Sequence, residues 1–204
     1  IEPATTAQLA GATGSPGTEV DDAITILESE GRVKKLGPDE DFFISIGGWE
    51  NLNETSAATL SGFHSTYPLR QGMPLQDFRG QLKLKTPAFA AISASLIASE
   101  AISIDDAIVR LPSHTPSLSA DQGVQAGEYL SLISGDRFSP STERPLDIEL
   151  LQFLTERGDV VRISGDIVYP TDAYDEMQSK ILGSGADGQE ITITSVREIF
   201  GTSR

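Results

Sequence analysis

Apolar positions along this chain fall at helical spacing and then switch to alternation three times. Val20, Ala23, Ile24 and Leu27 share one helical face. After Gly31, two β-rich runs follow, Arg32 to Leu36 and Phe42 to Ile46, joined by the polar G-P-D-E-D. The second passage places Phe89, Ile92 and Leu96 on one face, then runs Ile102 to Ile104 and Ile108 to Leu111. The third carries Leu146, Leu150, Leu151 and Leu154, then Val160 to Ile163 and Ile167 to Tyr169. The copies start roughly sixty to seventy residues apart, which predicts an array of small units.

Capping and breaker residues complete each unit. Thr5 or Thr6 caps a first helix that Gly14 closes, and Ser15-Pro16 starts the next with Ser as cap. A helix from about Trp49 to Ser65 leads to Pro74, which starts Leu75 to Leu82, and Thr86-Pro87 starts the helix of the second passage. Glu100 stands where the other copies have Gly31 and Gly158, so a left-handed backbone there costs about 1 kcal/mol. Ser117 or Ser119 caps a helix to about Ser134, the following stretch is too broken for a full helix, and Arg144-Pro145 starts the third patterned helix. Thr171 to about Leu182 reads as a tail helix and G-S-G-A-D-G-Q as a linker. A helix running into a β-hairpin after a helix-turn-helix is the plan of a winged helix. The fold class is mostly α with small β-hairpin wings (α+β), as tandem winged-helix domains in an elongated array. The expected domains are 1–48, 49–116 and 117–184, with 185–204 the start of a truncated fourth.

Charge narrows the partners. The chain has 30 Asp and Glu against 15 Lys and Arg, a net charge of −15. Proteins that coat a phosphate backbone usually show a basic face. Here the first helix placed to enter a groove carries Glu19, Asp21, Asp22 and Glu28, followed by Glu30. Nucleic-acid contact is therefore confined to small local patches. Cysteine is absent, which excludes disulfides and thiolate chemistry and fits a reducing, cytoplasmic setting. No apolar run approaches the roughly 20 residues of a membrane span. Ile1 is not an initiator Met, which predicts a piece of a longer protein, and a monomer is expected.

Few residues suggest chemistry. Asp105-Asp106 reads as a polar wing tip before it reads as a metal or acid–base pair. His64, at a helix end, and His114, in a Ser/Pro connection, lie far apart in the sequence, and neither has a second His or Cys at metal-ligand spacing. Trp49, Phe63 and Tyr67 form either a stacking platform or packing, with packing favoured. Lys83 and Lys85 are the second unit's best candidates for nucleic-acid contact. No G-x-S-x-G elbow and no G-x-x-x-x-G-K-[ST] loop occurs, so no enzyme activity, metal or cofactor is expected in this chain.

Several strings combine into a resemblance. H-S-T-Y-P-L-R-Q-G-M-P (from His64), I-V-R-L-P-S-H-T-P-S-L-S (from Ile108), L-T-E-R-G-D-V-V-R-I-S-G-D-I-V-Y (from Leu154) and E-I-T-I-T-S-V-R-E-I-F-G-T-S-R (from Glu190) are similar to the C-terminal region of the bacterial selenocysteine-specific elongation factor. The resemblance implies four consecutive winged-helix domains behind a GTPase, which holds GTP and Mg outside this chain. The last domain recognises an mRNA hairpin, and the inner ones act as a spacer between that hairpin and the ribosome with its selenocysteyl-tRNA. Thr202, Ser203 and Arg204 match the opening of the hairpin-binding helix, and Arg197 lies one short helix earlier. A tandem winged-helix DNA-binding regulator and a protein-interaction array are the competing readings. Hinges are expected near Ser113–Ser117 and Gly183–Gly188, and Ile191 to Arg204 is expected to be poorly ordered unless it borrows packing from the third unit.

Overall fold

The computed structural model describes residues 2–37, 42–142, 145–165, 167–185 and 192–201. Among these residues helices dominate and the strands form small antiparallel sheets, as the pattern implies. The chain divides into two compact units, Ile1–Pro116 and Ser117–Arg204.

The first unit opens with α1 (Thr6–Thr13). The Thr5 hydroxyl accepts from the Gln8 N–H and the Gln8 side chain accepts from the Thr5 N–H, a closed capping box, and Gly14 ends the helix at φ 72. α2 (Gly17–Ser29) takes Pro16 as its N-cap with no side-chain cap bond. Ser15 is therefore not the cap; it belongs to the preceding turn, where its N–H donates to Thr13 Oγ1 at 3.3 Å. β1 (Val33–Leu36) and β2 (Phe42–Ser45) pair antiparallel, and Ala4 bridges Phe43 with bonds of 3.0 and 2.9 Å. Ser45 ends β2 and caps α3 (Ile46–Thr66) by accepting from the Gly48 N–H. That shared residue is why α3 starts at Ile46 and not near Trp49.

α3 touches β1 and β2, and also β3 (Met73–Pro74) and α4 (Leu75–Leu82). It closes one wing and opens the next module. One hydrophobic cluster accordingly joins Leu36 and Ile44 of the first wing with Leu52 and Leu60 of α3 and with Phe78 and Ile92 beyond it. α5 (Thr86–Ala98), β4 (Ser103–Asp105) and β5 (Ile108–Arg110) complete the unit, in sheet order β3-β5-β4. The short β3 is not visible in the pattern: Pro74 ends a strand opposite Ile108 as well as preceding a helix, and the Leu75 N–H donates to Ala107 O at 2.8 Å. Glu100 sits at φ 55, the left-handed region that Gly31 and Gly158 occupy at φ 67 and 85. The expected strain is present.

In the second unit Ser119 and Gln122 form a capping box at α6 (Ala120–Gly135). α7 (Ile148–Arg157) begins after Asp147, whose carboxylate accepts from the Glu149 and Leu150 N–H groups at 3.0 and 3.2 Å. Those two bonds satisfy first-turn donors, so the helix starts there and not at Pro145, and Leu146 precedes it. β6 (Val160–Ser164) and β7 (Ile167–Pro170) form the wing, with a register shift between Arg162 and Ser164. α8 (Thr171–Gly185) runs past Leu182, so Gly183 to Gly185, expected in a linker, are helical, and the rest of that linker lies outside the described residues. α9 (Ile193–Phe200) is capped by Thr192 with Ser195 and closed by Gly201 at φ 62. Phe200 is buried with its ring 5.1 Å from that of Phe138, and Lys180 Nζ lies over both rings. α9 thus packs on Phe138 and Lys180 of the third sequence unit; Ile191 and the last three residues lie outside the described residues.

Candidate nucleic-acid interface

In a winged helix the second helix of the helix-turn-helix is the natural groove reader. Three helices occupy that place. α2 carries Glu19, Asp21, Asp22 and Glu28 and no cation, and α7 carries Glu149 and Glu156 against Arg157, which is ion-paired to Asp159, so neither helix offers a free cation to phosphate. α5 has no charged residue, but the fold covers it. Phe89, Ile92 and Leu96 belong to its own core cluster. On another face Ala88 and Ala91 are buried, and Ser95 Oγ accepts the Gly37 N–H at 3.1 Å. A Cβ added at Gly37 would lie 3.0 Å from Ala91 Cβ. The first wing thus rests on the helix that would otherwise enter a groove.

Three cations of this unit, half-buried Arg79 and exposed Lys83 and Lys85, flank the turn between α4 and α5. Arg79 sits in the last turn of α4, Lys83 is its C-cap at φ 55, and Lys85 is the N-cap of α5 with no side-chain cap bond. The Arg79 guanidinium donates to Thr86 Oγ1 at 3.1 Å. Lys83 and Lys85, singled out in the sequence, are thus joined by Arg79, which sequence reasoning missed because it lies one helix earlier. In the second unit, Arg197 is exposed in the last turn of α9. Thr202, Ser203 and Arg204 lie outside the described residues.

The remaining candidates resolve into structure. Asp105 accepts from Arg110 at 3.0 and 3.3 Å and Asp106 turns the chain at φ 52, a wing tip. Among the described residues no cluster of three potential metal ligands exists. Trp49 and Phe63 pack on the core; Phe63 also meets Tyr67 at 4.9 Å, and Arg70 lies 4.1 Å over the Tyr67 ring. Among the described residues no helix is long and apolar enough to cross a membrane.

The two histidines, far apart in the sequence, meet within the first unit. Their rings stack at 3.6 Å and 9°. His64 is buried; its Nε2 accepts the Leu111 N–H at 3.2 Å, while its Nδ1 has no partner. His114 Nε2 lies 2.9 Å from Arg70 O. Burial, then His114, then Arg110 lower the His64 pKa to about 4. The unfolded chain, with an ordinary histidine near 6.5, therefore binds the extra proton first. Stability that His64 contributes at neutral pH falls as the pH drops from about 6.5 toward 4. Thermal melts followed by circular dichroism should show Tm falling across that window, and His64→Gln, which keeps an acceptor for Leu111, should flatten the profile. Parallel profiles for the two proteins contradict this account.

Comparison with known proteins adds two findings. Residues 57–111, which run from the middle of α3 past β5, match the family model described as "Elongation factor SelB, winged helix". The chain is also similar to a selenocysteine-specific elongation factor from Desulfomicrobium baculatum, 22% identical over 199 residues that make up 91% of this chain and 31% of that protein. The chain thus spans about a third of the length of the relative it matches. Both findings support a SelB-type winged-helix region, in line with the resemblance of the sequence strings.

Proposed function

We propose that this SelB-type winged-helix region is a C-terminal part of a translation elongation factor for selenocysteine incorporation. In that role it serves as a spacer and as part of the arm that brings the factor to its mRNA hairpin. Hairpin recognition itself is assigned to a following domain, with Arg197, Thr202, Ser203 and Arg204 at its near edge. GTP, Mg, the ribosome and selenocysteyl-tRNA are engaged by other parts of the parent protein, in the cytoplasm, and this chain catalyses nothing. The observation that carries the reading is the covering of α5 by the first wing, and the acidic charge that α2 and α7 carry adds to it. Helices committed to packing suit a spacer. A DNA-binding regulator is not favoured, because it needs a second helix that is both free and basic.

The test is titration of a labelled selenocysteine-insertion hairpin, and of a scrambled hairpin, across a salt series. The chain as it stands is expected to show no preference between the two. A form extended by about fifty residues, one further unit, is expected to prefer the true hairpin by on the order of a thousandfold or more. Equal affinity of the extended form for both RNAs overturns the reading. Discrimination by the short chain, lost in an Arg197→Ala/Arg204→Ala variant, places the recognition in its last residues instead.

A further inference from the structure

The corner made by Arg79, Lys83 and Lys85 stands out in a chain of net charge −15. Six other cations are tied to acids, Arg32 to Glu30, Lys35 to Glu28, Arg110 to Asp105, Arg137 to Asp172, Arg157 to Asp159 and Lys180 to Glu176, while Lys34 lies over the Trp49 ring and Arg162 donates to Gly165 O. None of the three corner cations makes an ion pair with a described residue. Among the described acids, Asp77 stands in the first turn of α4, and Glu2 lines a small cavity together with Lys85.

Two features of the corner are unfavourable on their own. The bond to Thr86 holds the Arg79 charge at the start of α5, where the helix already carries partial positive charge. Lys83 occupies a left-handed position that glycine takes more readily. An arriving anion relieves the first and gives the second a use. The surroundings also select for a long polyanion. α5 presents no carboxylate, and its exposed positions next to the corner, Thr86, Pro87 and Ala90, are short and uncharged. The first wing blocks deeper entry along the helix, so contact ends at the backbone.

We propose that Arg79, Lys83 and Lys85 form a docking point for the backbone phosphates of a nucleic-acid duplex, held by charge and shape without reading sequence. The proposal is independent of the selenocysteine reading, because any duplex tests it.

The experiment uses the intact chain with a labelled RNA duplex of arbitrary sequence and a DNA duplex of the same sequence, between about 50 and 200 mM salt. Three neutralised phosphates predict a log–log salt slope of about −2 to −3. Arg79→Gln/Lys83→Gln/Lys85→Gln should weaken binding at least tenfold at the lowest salt and bring the slope close to zero, with unchanged Trp49 fluorescence. Lys83→Gly should raise Tm by about 2–4 °C while weakening binding, the signature of a strained residue kept for contact. Tighter binding of RNA than DNA assigns the site to A-form geometry; equal binding assigns it to phosphate alone, and either supports the proposal. Unchanged binding by the triple variant overturns it, as does absence of binding at the lowest salt. Equal displacement of the duplex by polyglutamate also overturns it and assigns the corner to an acidic protein.

Discussion

Gly72→Val is expected to unfold the core of the first unit while leaving the second unit folded. A Cβ at Gly72 would sit 2.5 Å from Val109 O, 2.7 Å from Ile108 Cγ2 and 3.0 Å from Val109 C. Two of those atoms are backbone of β5, the central strand of its sheet, and cannot rotate away. Neighbouring Met73 is buried and pairs with Val109, so the strand cannot slide either. Forced overpacking of this kind costs about 3 kcal/mol or more. Gly62→Ala in α3 is the matched control: nothing lies within 4 Å of its added Cβ, and a helical alanine should stabilise by roughly 0.5–1 kcal/mol. The sole tryptophan, Trp49, reports the first unit alone in a urea titration. An unchanged Trp49 midpoint for Gly72→Val would show that β3 does not approach β5 as closely as described.

The second large effect is expected at Gly37→Val, which should lift the first wing from α5. Gly37 has φ 86, a region hostile to a β-branched side chain, and its Cβ would meet Ala91 Cβ at 3.0 Å and Ala91 Cα at 3.3 Å. Backbone strain of about 1–2 kcal/mol and crowding of about 1–3 kcal/mol give a loss of roughly 2–5 kcal/mol. The loss is directional. The bond from the Gly37 N–H to Ser95 breaks, and amide exchange should accelerate across β1 and β2 while the Val109 amide keeps its protection. Uniform acceleration through the unit would mean global destabilisation, and unchanged exchange would mean that the wing and α5 are not coupled.

Much of this fold is legible in the sequence because its signals are local. The boxes Thr5/Gln8 and Ser119/Gln122 sit three residues apart, and the helical stripes of Val20–Ile24–Leu27 and Phe89–Ile92–Leu96 lie within single elements. Alignment with Gly31 and Gly158 even shows that Glu100 stands in a glycine's place. What escapes is what the tertiary fold decides. The start of α3 depends on Ser45 serving strand and helix at once, and the His64–His114 stack joins residues distant in sequence. The cover over α5 did leave a trace. Ala88, Ala91 and Ser95 form a small-residue stripe beside the apolar one, and Gly37 follows a strand, a pairing that marks close approach of two backbones. Of the candidate site, Lys83 and Lys85 were legible as cations near a turn; their convergence with Arg79 was not.

The double duty of α3 bears on how such tandem modules change in number over time. A helix that belongs to two cores cannot be inherited with only one of them: removing the segment before it strips Leu36 and Ile44 from a shared cluster, and cutting after it leaves the second module without Leu60. Shuffling at the 48/49 join is therefore selected against, although the repeat pattern there looks like any other. The division between Pro116 and Ser117 carries no such helix across it. Insertion, duplication and loss of modules in this lineage should collect at that second join, so the inherited building block is the pair of wings and not the single one.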